Sequence, residues 1–172
     1  MNKKGLIFNG ILAGLSLLYI GLCFVPMFQG SSLLDLAKAY MSATEGFLVV
    51  LEKVNGYVII ASLIISALTF AFAVVLLLTS VNVIKGTTLA MIARILMKFV
   101  TNFAMGCAVF IGVIFYMDKV YAGLLFSVIL LSLRVVMFLE ARLVKYAPKA
   151  AKVAADEPKT EPTKENTDNS EK

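Results

Sequence analysis

The 172-residue chain contains no histidine and only two cysteines, Cys23 and Cys107. Without histidine, the Ser/His and Cys/His pairs that activate a nucleophile cannot form. Each cysteine stands alone in an apolar run, with no second cysteine or histidine at the spacing of a zinc site. The sequence therefore predicts a protein that is not an enzyme and that holds no metal and no cofactor.

Charged residues are also scarce, since they make up 16% of the chain while hydrophobic residues make up 60%. A typical soluble domain has about 25% charged residues and about 45–50% apolar ones. The net charge of +5 does not indicate nucleic acid, because the basic residues cluster at the ends of the apolar runs. We therefore expect the lipid bilayer as a partner and no nucleic acid.

Four apolar runs are each long enough to cross a bilayer, whose hydrocarbon core of about 30 Å needs roughly 20 helical residues. Short connections after the second and third runs make those spans antiparallel neighbours. The predicted fold class is an all-α membrane protein with four transmembrane helices in an antiparallel bundle, within a domain of residues 1–147. The predicted spans are residues 5–28, 57–84, 89–117 and 120–146.

The first apolar run follows Lys3 and Lys4, as the apolar part of a secretory signal does. Bulky Leu22 stands where a cleavage site needs a small residue, and no A-x-A site follows. We therefore expect this run to be retained as a span.

Two segments lie outside the spans. In the loop of residues 29–55, Ser32 ahead of Asp35 predicts the start of a short helix at the outer membrane surface, which Gly46 interrupts. The tail of residues 148–172 has three prolines, no aromatic residue and mixed charge, so it is predicted to be disordered.

Orientation follows from the basic residues, which favour the cytoplasmic side of a membrane. Nine of them flank one side of the predicted bundle and three flank the other. This asymmetry predicts cytoplasmic N- and C-termini, most simply in a plasma membrane. The nine are Lys3, Lys4, Lys85, Arg94, Lys98, Arg142, Lys145, Lys149 and Lys152, and the three are Lys38, Lys53 and Lys119.

Each span also has a side of small or polar residues, which let helices approach closely in lipid. Span 1 has a GxxxG at Gly10 and Gly14, with Gly21 at nearly the same angle. We interpret these sides as helix packing within one chain, with a solute path or an oligomer seam as the alternative. The corresponding residues are Ser62, Ser66, Thr69, Ala73 and Ser80 in span 2; Thr101, Ala104, Ala108 and Gly112 in span 3; and Gly123, Ser127, Arg134 and Ala141 in span 4.

Arg134 is the one charge deep enough in a span to need an explanation. It is predicted near the depth of Asn102, and with Lys98 and Arg94 it would form a site for an anion or a lipid headgroup through charge-assisted hydrogen bonds. The simpler hypothesis, which we favour, is that Arg134 reaches the membrane interface or bonds backbone carbonyls.

These observations favour a non-enzymatic accessory or scaffold subunit that binds another membrane protein or itself. The alternative is a small oligomeric transporter or channel for an anionic or lipid-like solute. Ion-coupled transporters commonly carry an acidic residue at mid-membrane, whereas Glu140, the acid within span 4, lies near its inner edge.

Overall fold

A computed structural model describes residues 3–44, 48–81, 83 and 87–143. Their secondary structure is helical apart from one isolated bridge between Phe28 and Ser31. A 3₁₀ turn, Tyr121–Gly123, leads into the last helix. The α-helices are α1 (Lys3–Leu22), α2 (Leu33–Met41), α3 (Val49–Ser80), α4 (Thr87–Met117) and α5 (Leu124–Leu143).

The four long helices form the predicted bundle. Helix α1 packs against α3 and α5, and α4 packs against the same two helices, so the four form a closed ring. Helix α2 lies at one end and packs against α3; we call this end of the bundle the α2 end. The all-α four-helix prediction is confirmed, while the predicted tail of residues 148–172 lies outside the described residues.

Helix α1 ends at Leu22, before the predicted end of span 1 at residue 28. Proline lacks an N–H group and disfavours a helical conformation in the residue before it, so Pro26 stops the helix. The chain then reverses at Gln29 and Gly30, which have φ values of 52° and 89°. This reversal brings the chain back across the end of the bundle.

Helix α2 begins as predicted, with a capping box at Ser32 and Asp35. The Asp35 amide donates to Ser32 Oγ at 3.2 Å, and the Ser32 amide donates to an Asp35 carboxylate oxygen at 3.2 Å. The two exchanged bonds satisfy N–H groups that a helix start leaves free. The Ser32 hydroxyl also donates to this carboxylate oxygen, at 2.7 Å, and the hydroxyl and amide bonds from Ser32 lower the pKa of the Asp35 carboxyl.

Helix α3 begins at Val49, well before the predicted start of span 2 at residue 57. Glu52 and Lys53 interrupt the apolar run but are good helix formers, and Glu52 lies in the favourable first turn. Gly56 is where α2 crosses α3, since a Cβ there would lie 2.8 Å from the Ala37 carbonyl oxygen. This close contact fixes α2 on α3.

Several predicted features fall on residues outside the described ranges. They are the end of span 2 at residue 84, the end of span 4 at residue 146, the interruption at Gly46 and the connection at residues 85–86. Span 3 ends at Met117 as predicted, and span 4 starts as a 3₁₀ turn rather than as an α-helix.

Most of the small residues of spans 2, 3 and 4 are buried or lie against a neighbouring helix, whereas Ala141 of span 4 is exposed. A Cβ on Gly112 would lie 2.9 Å from Ser127 Oγ, and one on Gly123 would collide with the Phe115 ring. In spans 2 and 3 the fully buried members are Ser62, Ser66, Thr69, Ala73, Thr101, Ala104 and Ala108.

Span 1 requires a correction. Gly10, Gly14 and Gly21 are exposed, and a Cβ at any of them would meet no atom of the described residues within 4 Å. They therefore do not pack against another of the described helices, contrary to the predicted role. The buried side of α1 carries larger residues, because these fill the space toward α3 and α5: Asn9, Leu12, Ala13, Ser16 and Tyr19.

Candidate functional site

The residues predicted to bind an anion lie in the halves of α4 and α5 away from the α2 end. Lys98 and Asn102 are exposed, and Arg94 and Arg134 are half-buried. Asn102 lines a groove of about 360 Å³ that also contacts Val58 of α3.

Arg134 lies on the other side of α4. Ser127, two turns earlier on the same side of α5, donates a hydrogen bond to the Ala108 carbonyl of α4 at 2.7 Å. Within the described residues no hydrogen bond joins Arg134 to Asn102. The anion site stays a prediction, and the structure does not bring these two side chains together.

A larger cavity lies at the α2 end, where the sequence predicted no site. It has a volume of about 380 Å³, and we call it the α2-end crevice. It forms where α2 and the start of α3 meet the end of α4. Its lining residues are Tyr40, Leu48, Leu51, Glu52, Asn55, Val109, Phe110, Val113, Ile114, Met117 and Asp118.

One side of the crevice consists of hydrogen-bond acceptors. The Tyr40 hydroxyl donates to an Asp118 carboxylate oxygen at 3.2 Å, which links α2 to the end of α4. Glu52 and Asn55 are one turn apart on α3. The Asn55 side chain is only 9% exposed, and its Oδ1 has no hydrogen-bond partner among the described residues. A buried amide oxygen without a partner is costly, so it marks a place for a donor.

The electrostatic environment of the crevice is negative. Partial burial, together with the negative charges of Asp118 and Glu52 and the hydrogen bond to Asp118, raises the pKa of Tyr40 to about 12. The three lysines of this end, Lys38, Lys53 and Lys119, are described but do not line the crevice. Its two charged lining residues are therefore both acidic.

The other side of the crevice is apolar. Val109, Val113 and Met117 are exposed side chains on one face of α4. In a membrane, an exposed apolar face of a spanning helix meets lipid tails. A molecule in the crevice could therefore hold a polar group near Glu52 and Asp118 and extend an apolar part along α4.

A second polar feature lies on the buried sides of α1 and α3, which pack against each other. We call its residues Asn9, Ser16, Tyr19, Ser62 and Ser66 the α1–α3 polar seam. The Tyr19 and Ser62 hydroxyls lie 2.6 Å apart. The side-chain polar atoms of Asn9, Ser16 and Ser66 are buried without a hydrogen-bond partner among the described residues. The seam is thus a line of polar groups inside an apolar bundle.

Glu140 is buried rather than at the surface, with 1% exposure on α5. A carboxylate in this environment is costly unless it is compensated, and Glu140 does take part in an interaction. Among the described residues, no three potential metal ligands come together.

The crevice could not be predicted from the sequence, because its polar residues have the pattern of ordinary surface residues. Tyr40 and Asp118 are 78 positions apart, and nothing local to either predicts their contact. Asn55 is the one crevice residue whose burial the sequence could have indicated, since it lies just before a long apolar run and belongs to the buried face of α3.

The fold and the apolar helices define a class of protein. Helices α1, α3 and α4, and the 3₁₀ turn together with α5, are each long and apolar enough to cross a membrane. The chain is a small multi-pass membrane protein. Comparison with protein-family models, with curated proteins and with solved structures found no match.

Proposed function

We propose that this protein is a non-enzymatic accessory or scaffold subunit that binds another membrane protein. The observation that carries this proposal is the outward face of α1, where none of the described helices lies against Gly10, Gly14 and Gly21. Hydrophobicity alone does not join helices in lipid, so association depends on close backbone approach at small residues. The glycine face of α1 offers such an approach to a helix of another protein.

We place the protein in a plasma membrane with both termini cytoplasmic and the α2 end outside. The support is the distribution of lysine and arginine, which is nine against three as counted from the sequence. In this orientation α2 and the crevice face the exterior.

The test is co-purification of the full chain from its native membrane in a mild detergent. We expect a larger membrane protein to be recovered with it in a fixed ratio. Gly14→Leu should abolish this recovery without lowering the melting temperature, because its side chain would fill the space that a partner helix needs. Gly106→Leu on α4 is the matched control, since Gly106 is also exposed with no atom near its Cβ position, and it should retain the partner.

A second candidate function is that of a small oligomeric transporter or channel for an anionic or lipid-like solute. It is favoured by the α1–α3 polar seam, whose unpartnered groups would suit a polar path. Recovery of only a self-oligomer with bound lipid would support this function, and it would contradict the accessory-subunit proposal. Recovery of the same partner with Gly14→Leu as with the unchanged protein would contradict the role of α1.

A further inference from the structure

We infer that the α2-end crevice binds a small amphiphilic cation, an organic ammonium group that carries an apolar chain. This inference is independent of the accessory-subunit function, because α1 takes no part in the crevice. Nor does it depend on which side of the membrane the crevice faces.

The polar side of the crevice selects for positive charge. Glu52 and Asp118 supply carboxylates, and Asn55 Oδ1 is a buried acceptor that lacks a donor within the described structure. An ammonium group is attracted to both carboxylates and, where it carries N–H, donates to such acceptors. A phosphate or carboxylate ligand would face two like charges there and is excluded.

The apolar side selects for a hydrocarbon chain. Phe110, Val113 and Met117 line the crevice beside the acceptors, and the aromatic rings of Tyr40 and Phe110 are suited to contact an ammonium group. The volume of about 380 Å³ falls within the range of about 300–1,000 Å³ that is typical of small-molecule sites. The two sides together fit one compact amphiphile rather than a polypeptide segment.

The experiment measures binding of radiolabelled octylammonium, whose N–H groups can donate to Asn55 Oδ1, to the purified full chain in maltoside micelles by equilibrium dialysis, with protein-free micelles subtracted. We expect saturable binding of one cation per chain and no saturable binding of the neutral alcohol of the same chain length. Glu52→Gln combined with Asp118→Asn should weaken binding at least about tenfold, equivalent to about 1.4 kcal/mol.

Two further variants keep this result interpretable. Met117→Lys places a tethered ammonium at the exposed end of α4, where it is compatible with folding, and it should also abolish binding. Asp35→Asn is the matched control, because it removes one negative charge from the same end without touching the crevice, and it should bind as the unchanged protein does. Melting profiles in detergent check that every variant is folded.

The inference is overturned if the cation and the neutral alcohol bind alike, or if binding never saturates above the micelle background. It is also overturned if folded Glu52→Gln/Asp118→Asn protein binds as tightly as the unchanged chain. A result in which these substitutions release a co-purifying polypeptide while the cation does not bind would assign the crevice to a protein partner instead.

Discussion

The α1–α3 contact and the α4–α5 contact are both antiparallel pairs of apolar helices, but they differ in whether their buried polar groups have hydrogen-bond partners. At the α4–α5 contact, Ser127 donates to the Ala108 carbonyl at 2.7 Å. At the α1–α3 contact, Asn9, Ser16 and Ser66 are buried without partners among the described residues. The α4–α5 contact has its hydroxyl satisfied across the two helices, whereas the α1–α3 contact combines the Tyr19–Ser62 hydrogen bond with several buried polar atoms that have no partner among the described residues.

Small or polar residues on a helix face therefore do not all contribute to packing in the same way. Ser127 fills the space beside Gly112 and also links two helices. The seam residues occupy the interior at a cost, since an unpaired buried polar group destabilises the folded state. We therefore expect α4–α5 to be the more rigid contact and α1–α3 the more easily separated one.

The largest effect is expected where α4 meets the start of α5. Gly123→Leu should lower the free energy of unfolding by about 3 kcal/mol, because any side chain at residue 123 collides with the Phe115 ring. Thermal unfolding of the purified protein in detergent measures this. Gly14→Leu on α1 is the control and should change little, and equal melting temperatures for both variants would contradict the assigned packing.

An effect of opposite sign is expected in the α1–α3 polar seam. Asn9→Leu should raise the free energy of unfolding by about 2 kcal/mol, because it removes two buried polar atoms that lack partners and keeps a similar volume. The same unfolding measurement applies, with Asn102→Leu as a control at an exposed position. Destabilisation by Asn9→Leu would instead reveal a partner for Asn9.

The smallest effect comes from single hydroxyl groups and compares the two contacts directly. Ser127→Ala should cost about 1 kcal/mol, since it removes a formed hydrogen bond. Ser66→Ala should cost nothing or stabilise slightly, because its hydroxyl is buried without a partner in the described structure. Chemical unfolding in detergent resolves such differences, and equal losses for both variants would remove the distinction between the two contacts.

Much of the fold could be predicted because lipid imposes simple requirements. A helix must supply roughly 20 apolar residues to cross the hydrocarbon core, so hydropathy alone indicated four spans. The start of α2 could also be predicted, since Ser32 and Asp35 form a capping box that depends on local sequence only. The start of α3 was harder to predict, because Glu52 and Lys53 lower the hydropathy of the chain without interrupting the helix.

The orientation of α1 in the bundle could not be predicted in the same way. Its glycines and its polar residues Asn9, Ser16 and Tyr19 lie on different faces, and either face can contact another helix in lipid. Which face is covered within the chain depends on the shapes of α3 and α5. The α2-end crevice also depends on tertiary packing, since it forms only because α2 lies near the end of α4.

The unequal lengths of α1 and α3 have a consequence for where α3 leaves the lipid. With 20 residues, α1 is about 30 Å long, whereas α3, with 32 residues, is about 48 Å long. The first two turns of α3 contain Glu52, Lys53 and Asn55, so the apolar part of this helix is shorter than the whole helix. We therefore expect the start of α3 to extend beyond the hydrocarbon core into the membrane interface, where it supports α2 at Gly56.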